Sequence, residues 1–224
     1  MKQIFTSLLL VISISLTAQT GYYIKSADGT QLHIQEFGSG QPVIILAGGP
    51  GLNAIYLKPV WDSLSLKFRC IILDQRGTGK STTTKLDSAS FMMLNYVNDL
   101  EALRKHSKLQ QLTLIGHSWG GMLAMEYASN YPLQVKRLVL LGPGGPTGKF
   151  FSYFSDNLMM RLHDEDFAEM KVLDSLKQRR LKAVWPGYFY DRKRALATKA
   201  VTDFNLLNYP PAVNTYTVTN YLSA

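Results

Sequence analysis

The chain has 224 residues, of which 46% are hydrophobic and 18% are charged, and its formal net charge is +8. This composition can bury a core and excludes an intrinsically disordered chain, and the length suits one domain or one domain with an insertion. The basic residues are scattered along the chain instead of forming a block, so nucleic acid is not expected as a partner.

The first twenty residues have the pattern of a secretory signal peptide. Lys2 precedes a mostly apolar run over residues 4–16, which is too short and too rich in serine to span a bilayer. Small residues follow, so cleavage is predicted near Ala18 and Gln19. We therefore expect an exported protein, periplasmic or secreted, without stable membrane insertion after cleavage. An uncleaved N-terminal anchor is the alternative.

Strands and helices are predicted to alternate along residues 21–145. Cys70, the only cysteine, lies in one apolar strand, so no disulfide forms within the chain and its stability must come from packing. The order predicts an α/β fold with a mostly parallel sheet and helices on both faces. Strands are expected at 22–24, 32–37, 42–47, 70–73, 112–115 and 135–141, and helices at 54–66, 91–109 and 119–130.

The pattern changes at the glycine- and proline-rich stretch 142–146. From residue 147 onward the chain is predicted to be mainly helical, with aromatic-rich loops around 185–190 and a possible capping box at 166–169. We therefore divide the chain into a signal peptide at 1–20, a core at 21–145 and a helical cap region at 146–224.

Ser118 is the candidate nucleophile. It lies in Gly116-His117-Ser118-Trp119-Gly120, which matches G-x-S-x-G directly after a predicted strand and before a predicted helix. In such a sharp turn the serine hydroxyl stands above the strand ends, and the first backbone N–H of the helix can bind a developing oxyanion. The N–H of Trp119 is the expected donor. A glycine-rich turn with a serine helix cap is the alternative interpretation.

A second oxyanion donor is expected from the loop after the strand at 42–47. That loop begins with Gly48 and Gly49, followed by Pro50 and Gly51. Closely spaced glycines allow backbone N–H groups to approach a ligand at short range, so Gly48 or Gly49 is predicted to provide the donor.

Three motifs together resemble the proline iminopeptidase-like branch of the α/β-hydrolase fold. They are Ala47-Gly48-Gly49-Pro50-Gly51, Asp74-Gln75-Arg76-Gly77-Thr78-Gly79-Lys80-Ser81 and Gly116-His117-Ser118-Trp119-Gly120-Gly121. The resemblance covers residues 22–145 well and the remainder weakly. It implies that Asp74 and Arg76 support the loops around the active site, with a surface turn as the alternative. One departure is that the family usually has histidine where this chain has Ala47.

The general base is not evident from the sequence. In this fold the triad acid and histidine follow the nucleophile, and His163 is the only histidine after Ser118. His163 lies in the predicted cap, whereas the family's histidine follows the final strand. We therefore expect an incomplete sequence in which the final strands, the acid and the histidine lie beyond residue 224, and in which the strand at 135–141 is an exposed edge.

The motifs predict a serine hydrolase that works by acyl transfer. The resemblance implies an aminopeptidase of proline iminopeptidase type that acts on short peptides and needs an acidic group for the substrate amine. An esterase or amidase for small acyl substrates is the alternative, and a catalytically dead binding module is another. No metal or cofactor is expected, because the sequence has no metal-ligand motif.

Overall fold

The computed structural model describes residues 20–176, 181–202 and 211–222, so most of the predicted signal peptide, residues 1–19, lies outside the described residues. Six strands form one sheet. The last strand has the predicted bounds, and the others differ from the prediction by a few residues at their ends. The strands are β1 Thr20–Lys25, β2 Gln31–Phe37, β3 Gln41–Leu46, β4 Phe68–Leu73, β5 Leu112–His117 and β6 Val135–Leu141.

The sheet is mostly parallel, with the strand order β1-β2-β4-β3-β5-β6. Strand β3 pairs in parallel with β4 and with β5, and β5 pairs in parallel with β6. The first two strands are antiparallel to their neighbours. This arrangement confirms the predicted α/β fold. It also brings the carboxyl ends of β3, β4 and β5 to one edge, where both glycine-rich motifs emerge.

Eight α-helices are described. They are α1 Lys58–Leu64, α2 Met93–His106, α3 Trp119–Asn130, α4 Lys149–Met159, α5 Asp164–Ser175, α6 Leu181–Val184, α7 Arg192–Val201 and α8 Pro211–Leu222. Helix α3 has the predicted bounds. The single helix predicted at 54–66 is instead a 3-10 turn, Ala54–Leu57, followed by α1. Pro59 lies in the first turn of α1, where its fixed φ and missing N–H are tolerated.

Both faces of the central strands are covered, as their continuous apolar sequences predict. Along β3, Val43 and Ile45 pack on the α1 side with Trp61. The alternate residues, Ile44 and Leu46, pack on the opposite side with α2 and α3. A rigid double-sided core therefore supports the loops at the carboxyl edge of the sheet.

The chain after residue 146 is mainly helical and packs in two places. Helices α4, α5 and α6 share a small apolar cluster of their own around Leu158 and Met170. Helix α8 instead packs on the main core, where Val213 is fully buried and the hydroxyls of Tyr96 and Thr217 lie 2.8 Å apart. The predicted cap region, residues 146–224, thus contributes one helix to the core of the sheet domain.

The capping box expected at 166–169 begins three residues earlier. Helix α5 starts at Asp164, and the Asp166 carboxylate accepts a hydrogen bond from the His163 backbone N–H at 3.0 Å. Glu169 has no capping role and accepts a hydrogen bond from Lys199 of α7 at 2.5 Å. The prediction failed because Asp166 is the third residue of the helix and not the residue before it.

Strand β6 forms an edge of the described sheet. Leu138, Val139 and Leu140 are exposed by 36%, 41% and 37%, although all three are apolar. This agrees with the exposed edge expected at 135–141. In the part of the chain that the structure describes, no helix has both the length and the hydropathy needed to cross a bilayer.

Candidate active site

Ser118 occupies a sharp turn between β5 and α3. Its backbone has φ 52° and ψ −118°, a region that residues with a side chain rarely adopt. The Ser118 N–H donates to the Leu141 carbonyl at the end of β6 at 3.0 Å, which fixes the turn against the neighbouring strand. A conformation of this kind costs about 1–3 kcal/mol, so the surrounding packing must stabilise it.

Two glycines make the close approach of α3 to the sheet possible. A Cβ at Gly116 would collide with the Gly120 carbonyl oxygen. A Cβ at Gly120 would collide with the Leu46 carbonyl oxygen at the end of β3. The glycines of the motif are therefore required by backbone contacts on both sides of Ser118.

The first turn of α3 presents backbone N–H groups beside Ser118. The N–H groups of Gly121 and Met122 donate to the Ser118 carbonyl at 2.9 and 3.2 Å. Those of Trp119 and Gly120 come earlier, where a helix offers no carbonyl partner. The positive end of the helix dipole lies at the same point. The backbone N–H of Trp119 therefore lies beside Ser118 without a carbonyl partner in the helix, and its role as an oxyanion donor stays a prediction.

The glycine loop after β3 faces the same place. Gly49 lines a cavity together with Ser118 and Trp119. The N–H of Gly48 instead donates to the hydroxyl of Tyr56 at 2.6 Å, so it is already engaged. Of the two glycines predicted as donors, Gly49 is the one whose N–H has no hydrogen-bond partner among the described residues.

Ala47, at the position where the family usually has histidine, is fixed through its backbone. Its carbonyl accepts a hydrogen bond from the Gln75 side-chain nitrogen at 2.7 Å. Gln75 is 2% exposed. The loop entrance is therefore anchored by a residue from the motif that follows β4.

The cavity above Ser118 has a volume of about 400 Å³ and is mostly apolar. The aromatic side chains of α4 and of the turn Trp185–Tyr188 form one wall, and Phe154 and Tyr188 are in ring contact at 5.7 Å between centroids. No Asp, Glu, Lys or Arg side chain is among the described lining residues. They are Gly49, Leu52, Tyr56, Leu57, His117, Ser118, Trp119, Met122, Phe150, Phe151, Phe154, Leu181, Trp185, Tyr188 and Phe189.

Asp74 and Arg76 are buried outside the cavity, where they form hydrogen bonds that support neighbouring loops. The Asp74 carboxylate accepts from the Lys80 backbone N–H at 3.0 Å and lies 2.9 Å from His33 Nδ1. Arg76 is completely buried and binds Asp99 through two hydrogen bonds of 2.6 and 2.8 Å. Neither side chain lines the cavity, so the geometry is that of supports for the loop over 74–81.

The four histidines of the chain all lie in described parts, and their recorded partners are residues other than Ser118. His33 is buried beside Asp74, and His106 stacks on Tyr22 with ring centroids 5.5 Å apart. His163 lies at the start of α5, 3.8 Å from Glu165. His117 binds Tyr56 through Nδ1 at 2.8 Å. Within the described ranges, no group of three His, Cys, Asp or Glu side chains could hold a metal ion.

Sequence reasoning missed Tyr56 and the aromatic wall. Tyr56 lies in a 3-10 turn eight residues after Gly48, and no motif marks it. Residues 185–190 were predicted as an aromatic-rich loop, but the phenylalanines of α4 at 150, 151 and 154 were not singled out. Their meeting over Ser118 depends on long-range packing, which a sequence pattern does not encode.

Comparison with known proteins places the chain in a family. A family model described as alpha/beta hydrolase fold matches residues 41–183. A proline iminopeptidase of Arabidopsis thaliana is 35% identical over 126 residues, which is 53% of this chain and 31% of the relative. A cis-3-alkyl-4-alkyloxetan-2-one decarboxylase of Shewanella oneidensis is 35% identical over 123 residues, covering 54% of this chain and 38% of the relative. The chain thus spans about a third of the length of these relatives.

Solved structures share the fold. A proline iminopeptidase-related protein from Thermus thermophilus superposes with a TM-score of 0.70 at 22% identity, covering 90% of this chain and 72% of that chain. An esterase from Exiguobacterium antarcticum gives 0.61 at 22% identity, covering 91% and 74%. Since the family model matches more than half of the chain, this polypeptide belongs to the α/β-hydrolase fold family, and proline iminopeptidases are among its relatives.

Proposed function

We propose that the protein is a serine hydrolase in which Ser118 is the nucleophile of an acyl transfer. The observation that carries this proposal is the position of Ser118, at φ 52° in a strand-to-helix turn and on the wall of a 400 Å³ cavity. Such a turn holds the hydroxyl out from the sheet, beside backbone N–H groups that can stabilise negative charge.

In the proposed reaction, Ser118 Oγ attacks the carbonyl carbon of the substrate and the carbonyl oxygen takes up the electron pair. The N–H groups of Trp119 and Gly49 donate to that oxygen. A histidine accepts the serine proton and passes it to the leaving group, and water then releases the acyl group by the same route. None of the four histidines of the chain, all in described parts, hydrogen-bonds Ser118, so the proposal assigns this base to none of them.

The cavity favours an ester or amide with an uncharged, apolar acyl group. An exopeptidase that binds a free amine needs an anionic side chain, and none lines the described cavity. Two acidic side chains of the cap region are engaged with basic residues, Glu165 with Arg192 at 2.7 Å and Glu169 with Lys199 at 2.5 Å. We therefore propose esterase or amidase activity on small acyl substrates.

An aminopeptidase of proline iminopeptidase type is the second candidate, and it is supported by the relatives named above. It requires an anion from residues that the structure does not describe. The two activities separate in one assay, in which the full-length protein is offered a chromogenic proline amide and a short acyl ester. We expect faster hydrolysis of the ester, and preferential hydrolysis of the proline amide would overturn the esterase assignment.

Ser118→Ala must abolish either activity by several orders of magnitude, since the nucleophile is lost. Activity that survives in this variant would refute the role of Ser118. A non-catalytic binding module is the remaining alternative. It would be favoured if neither substrate is hydrolysed by the full-length protein while both still bind at the cavity.

We also propose that the protein is exported. The proposal rests on the basic residue Lys2 and the apolar run that follows it. Cell fractionation with N-terminal sequencing tests this, and we expect the mature chain to begin near Gln19. A cytoplasmic protein that retains Met1 would contradict it.

A further inference from the structure

Tyr56 and His117 form a hydrogen-bonded pair in the cavity wall beside Ser118. The Tyr56 hydroxyl lies 2.8 Å from His117 Nδ1, and the two rings meet edge to face with centroids 5.4 Å apart. The hydroxyl also accepts the Gly48 N–H at 2.6 Å. A Cβ placed on Gly48 would lie 2.9 Å from that hydroxyl, 3.0 Å from His117 Nδ1 and 3.1 Å from Ser118 Cβ. The pair is therefore at the reaction centre.

The bond from Gly48 determines where the protons lie. A backbone N–H can only donate, so the Tyr56 oxygen is the acceptor in that bond. The hydroxyl proton then has one acceptor among the described residues, which is His117 Nδ1. The reverse arrangement, with Nδ1 donating, would leave the hydroxyl proton without a partner in a largely buried place. The imidazole proton therefore lies on Nε2.

Burial keeps both groups neutral. It raises the pKa of the Tyr56 hydroxyl and lowers the pKa of the His117 imidazole. A neutral imidazole with its proton on Nε2 is a hydrogen-bond donor on a side chain that lines the cavity. No described residue accepts from this nitrogen, so it is available to a ligand.

We propose that His117 donates a hydrogen bond from Nε2 to the substrate of Ser118, and that Tyr56 is the positioning residue that fixes this tautomer. The inference rests on the proposed hydrolase function and narrows its substrate class. A fixed donor in an otherwise apolar cavity selects a substrate with an acceptor oxygen near the scissile carbonyl, such as the second oxygen of an ester. The same donor disfavours a substrate that places an ammonium group at this position.

The tautomer can be measured without any catalysis. In the 224-residue chain, long-range ¹H–¹⁵N correlations of the imidazole ring should show His117 as the neutral Nε2–H form at pH 7. Tyr56→Phe should remove the preference and give a mixture of tautomers. The control is Tyr190→Phe, because Tyr190 is 99% exposed and lies outside the cavity. A wild-type His117 that carries its proton on Nδ1, or that is unchanged by Tyr56→Phe, would overturn the proposal.

The role toward substrate is tested by kinetics of the full-length protein on an acyl ester. His117→Leu removes the donor and should lower kcat/KM by roughly 3–10-fold, the effect of one neutral hydrogen bond. His117→Gln keeps an N–H donor at similar reach and should restore most of that loss. Equal values for Leu and Gln variants would refute the donor role.

The two measurements distinguish failure of the inference from failure of the proposed function. If the wild-type enzyme hydrolyses esters but His117→Leu is unimpaired, only the donor role fails. If no acyl substrate is hydrolysed, the proposed function fails and the donor role fails with it. The tautomer measurement still decides the Tyr56–His117 arrangement in that case.

Discussion

The side-chain oxygen of Gln75 accepts a hydrogen bond from the Trp119 indole N–H at 3.0 Å. Through its nitrogen the same side chain also binds the Ala47 carbonyl. Gln75 thus connects the entrance of the glycine loop with the residue after Ser118, although these elements are far apart in sequence. This one buried amide connects the two segments that carry the proposed oxyanion donors, Gly49 and Trp119.

Gln75→Leu should destabilise the protein by about 1–3 kcal/mol. The substitution removes the hydrogen-bond partner of the Trp119 indole N–H and of the Ala47 carbonyl. Buried polar groups that lose their partner are costly. Urea unfolding of the wild type and of Gln75→Leu measures the difference in their free energies of unfolding. Gln110→Leu is the control, because Gln110 is exposed. A Gln75 variant as stable as the control would show that the link is dispensable.

Ser118→Gly should be more stable than Ser118→Ala by roughly 1 kcal/mol, although both remove the nucleophile. Glycine relieves the positive φ of 52°, whereas alanine keeps the steric conflict. The gain is reduced by the larger conformational entropy of glycine in the unfolded chain. Chemical denaturation of both variants gives the comparison. Equal stability would mean that the turn is not strained at this residue.

Gly120→Ala should destabilise the sheet domain by about 1–3 kcal/mol, because the new methyl group would collide with the backbone oxygens of Leu46 and Ala47 at the end of β3. We expect a lower melting temperature and lower activity. Gly145→Ala is the matched control, since the nearest atom to its Cβ would be a side-chain carbon of Phe150 at 3.3 Å. Similar losses in the two variants would contradict the close-packing argument.

Glu101→Gln should lower stability at neutral pH but not near pH 2. Hydrogen bonds from Arg104 and Tyr127 hold the pKa of the Glu101 carboxyl at about 2, below its ordinary value of about 4.5. The resulting stabilisation is complete above that ordinary value and is lost as the pH falls toward 2. Unfolding at pH 7 should show a loss of roughly 1–3 kcal/mol.

The control for Glu101 is Asp62→Asn, which breaks an exposed pair with Lys58 and should change stability very little. A difference between Glu101→Gln and wild type that stays constant from pH 7 to pH 2 would contradict the pKa argument.

Val139→Lys should reduce the association of the 224-residue chain. Strand β6 exposes consecutive apolar residues on an edge of the described sheet, and such edges template contacts between molecules. Light scattering as a function of concentration measures the effect. Leu133→Lys also removes an exposed apolar residue, but it lies in a 3-10 turn outside the strand. If both substitutions act equally, general surface hydrophobicity is responsible and not the edge.

The sequence was sufficient for elements whose signals are local. Strand β6 and helix α3 were predicted with their observed bounds. An apolar run marks the strand, and Pro132 follows the end of the helix. The helix predicted at 54–66 is divided in the structure, and Pro59 lies in the first turn of α1, a position that proline favours. For the site, the G-x-S-x-G pattern predicts Ser118 as the nucleophile and the glycine loop predicts the region of the second donor, and both roles stay predictions.

The remaining features depend on contacts between distant parts of the chain. Tyr56 and His117 are 61 residues apart, and Gln75 and Trp119 are 44 apart. Helix α8 gave no sign that it would pack on the core, because its sequence has no clear apolar face that marks Val213 and Thr217 as buried. Tertiary packing determines these contacts, and a single amino-acid sequence offers no pattern that reveals them.

Cys70 has a practical consequence for studying motion in this protein. Its thiol is fully buried in β4, and burial raises its pKa to about 11, so it resists alkylation by maleimides at neutral pH. A cysteine introduced at exposed Tyr153 or Tyr190 would therefore be labelled selectively without first removing the native one. Fluorescent or spin probes attached there would follow displacement of the aromatic wall while the natural interior stays intact.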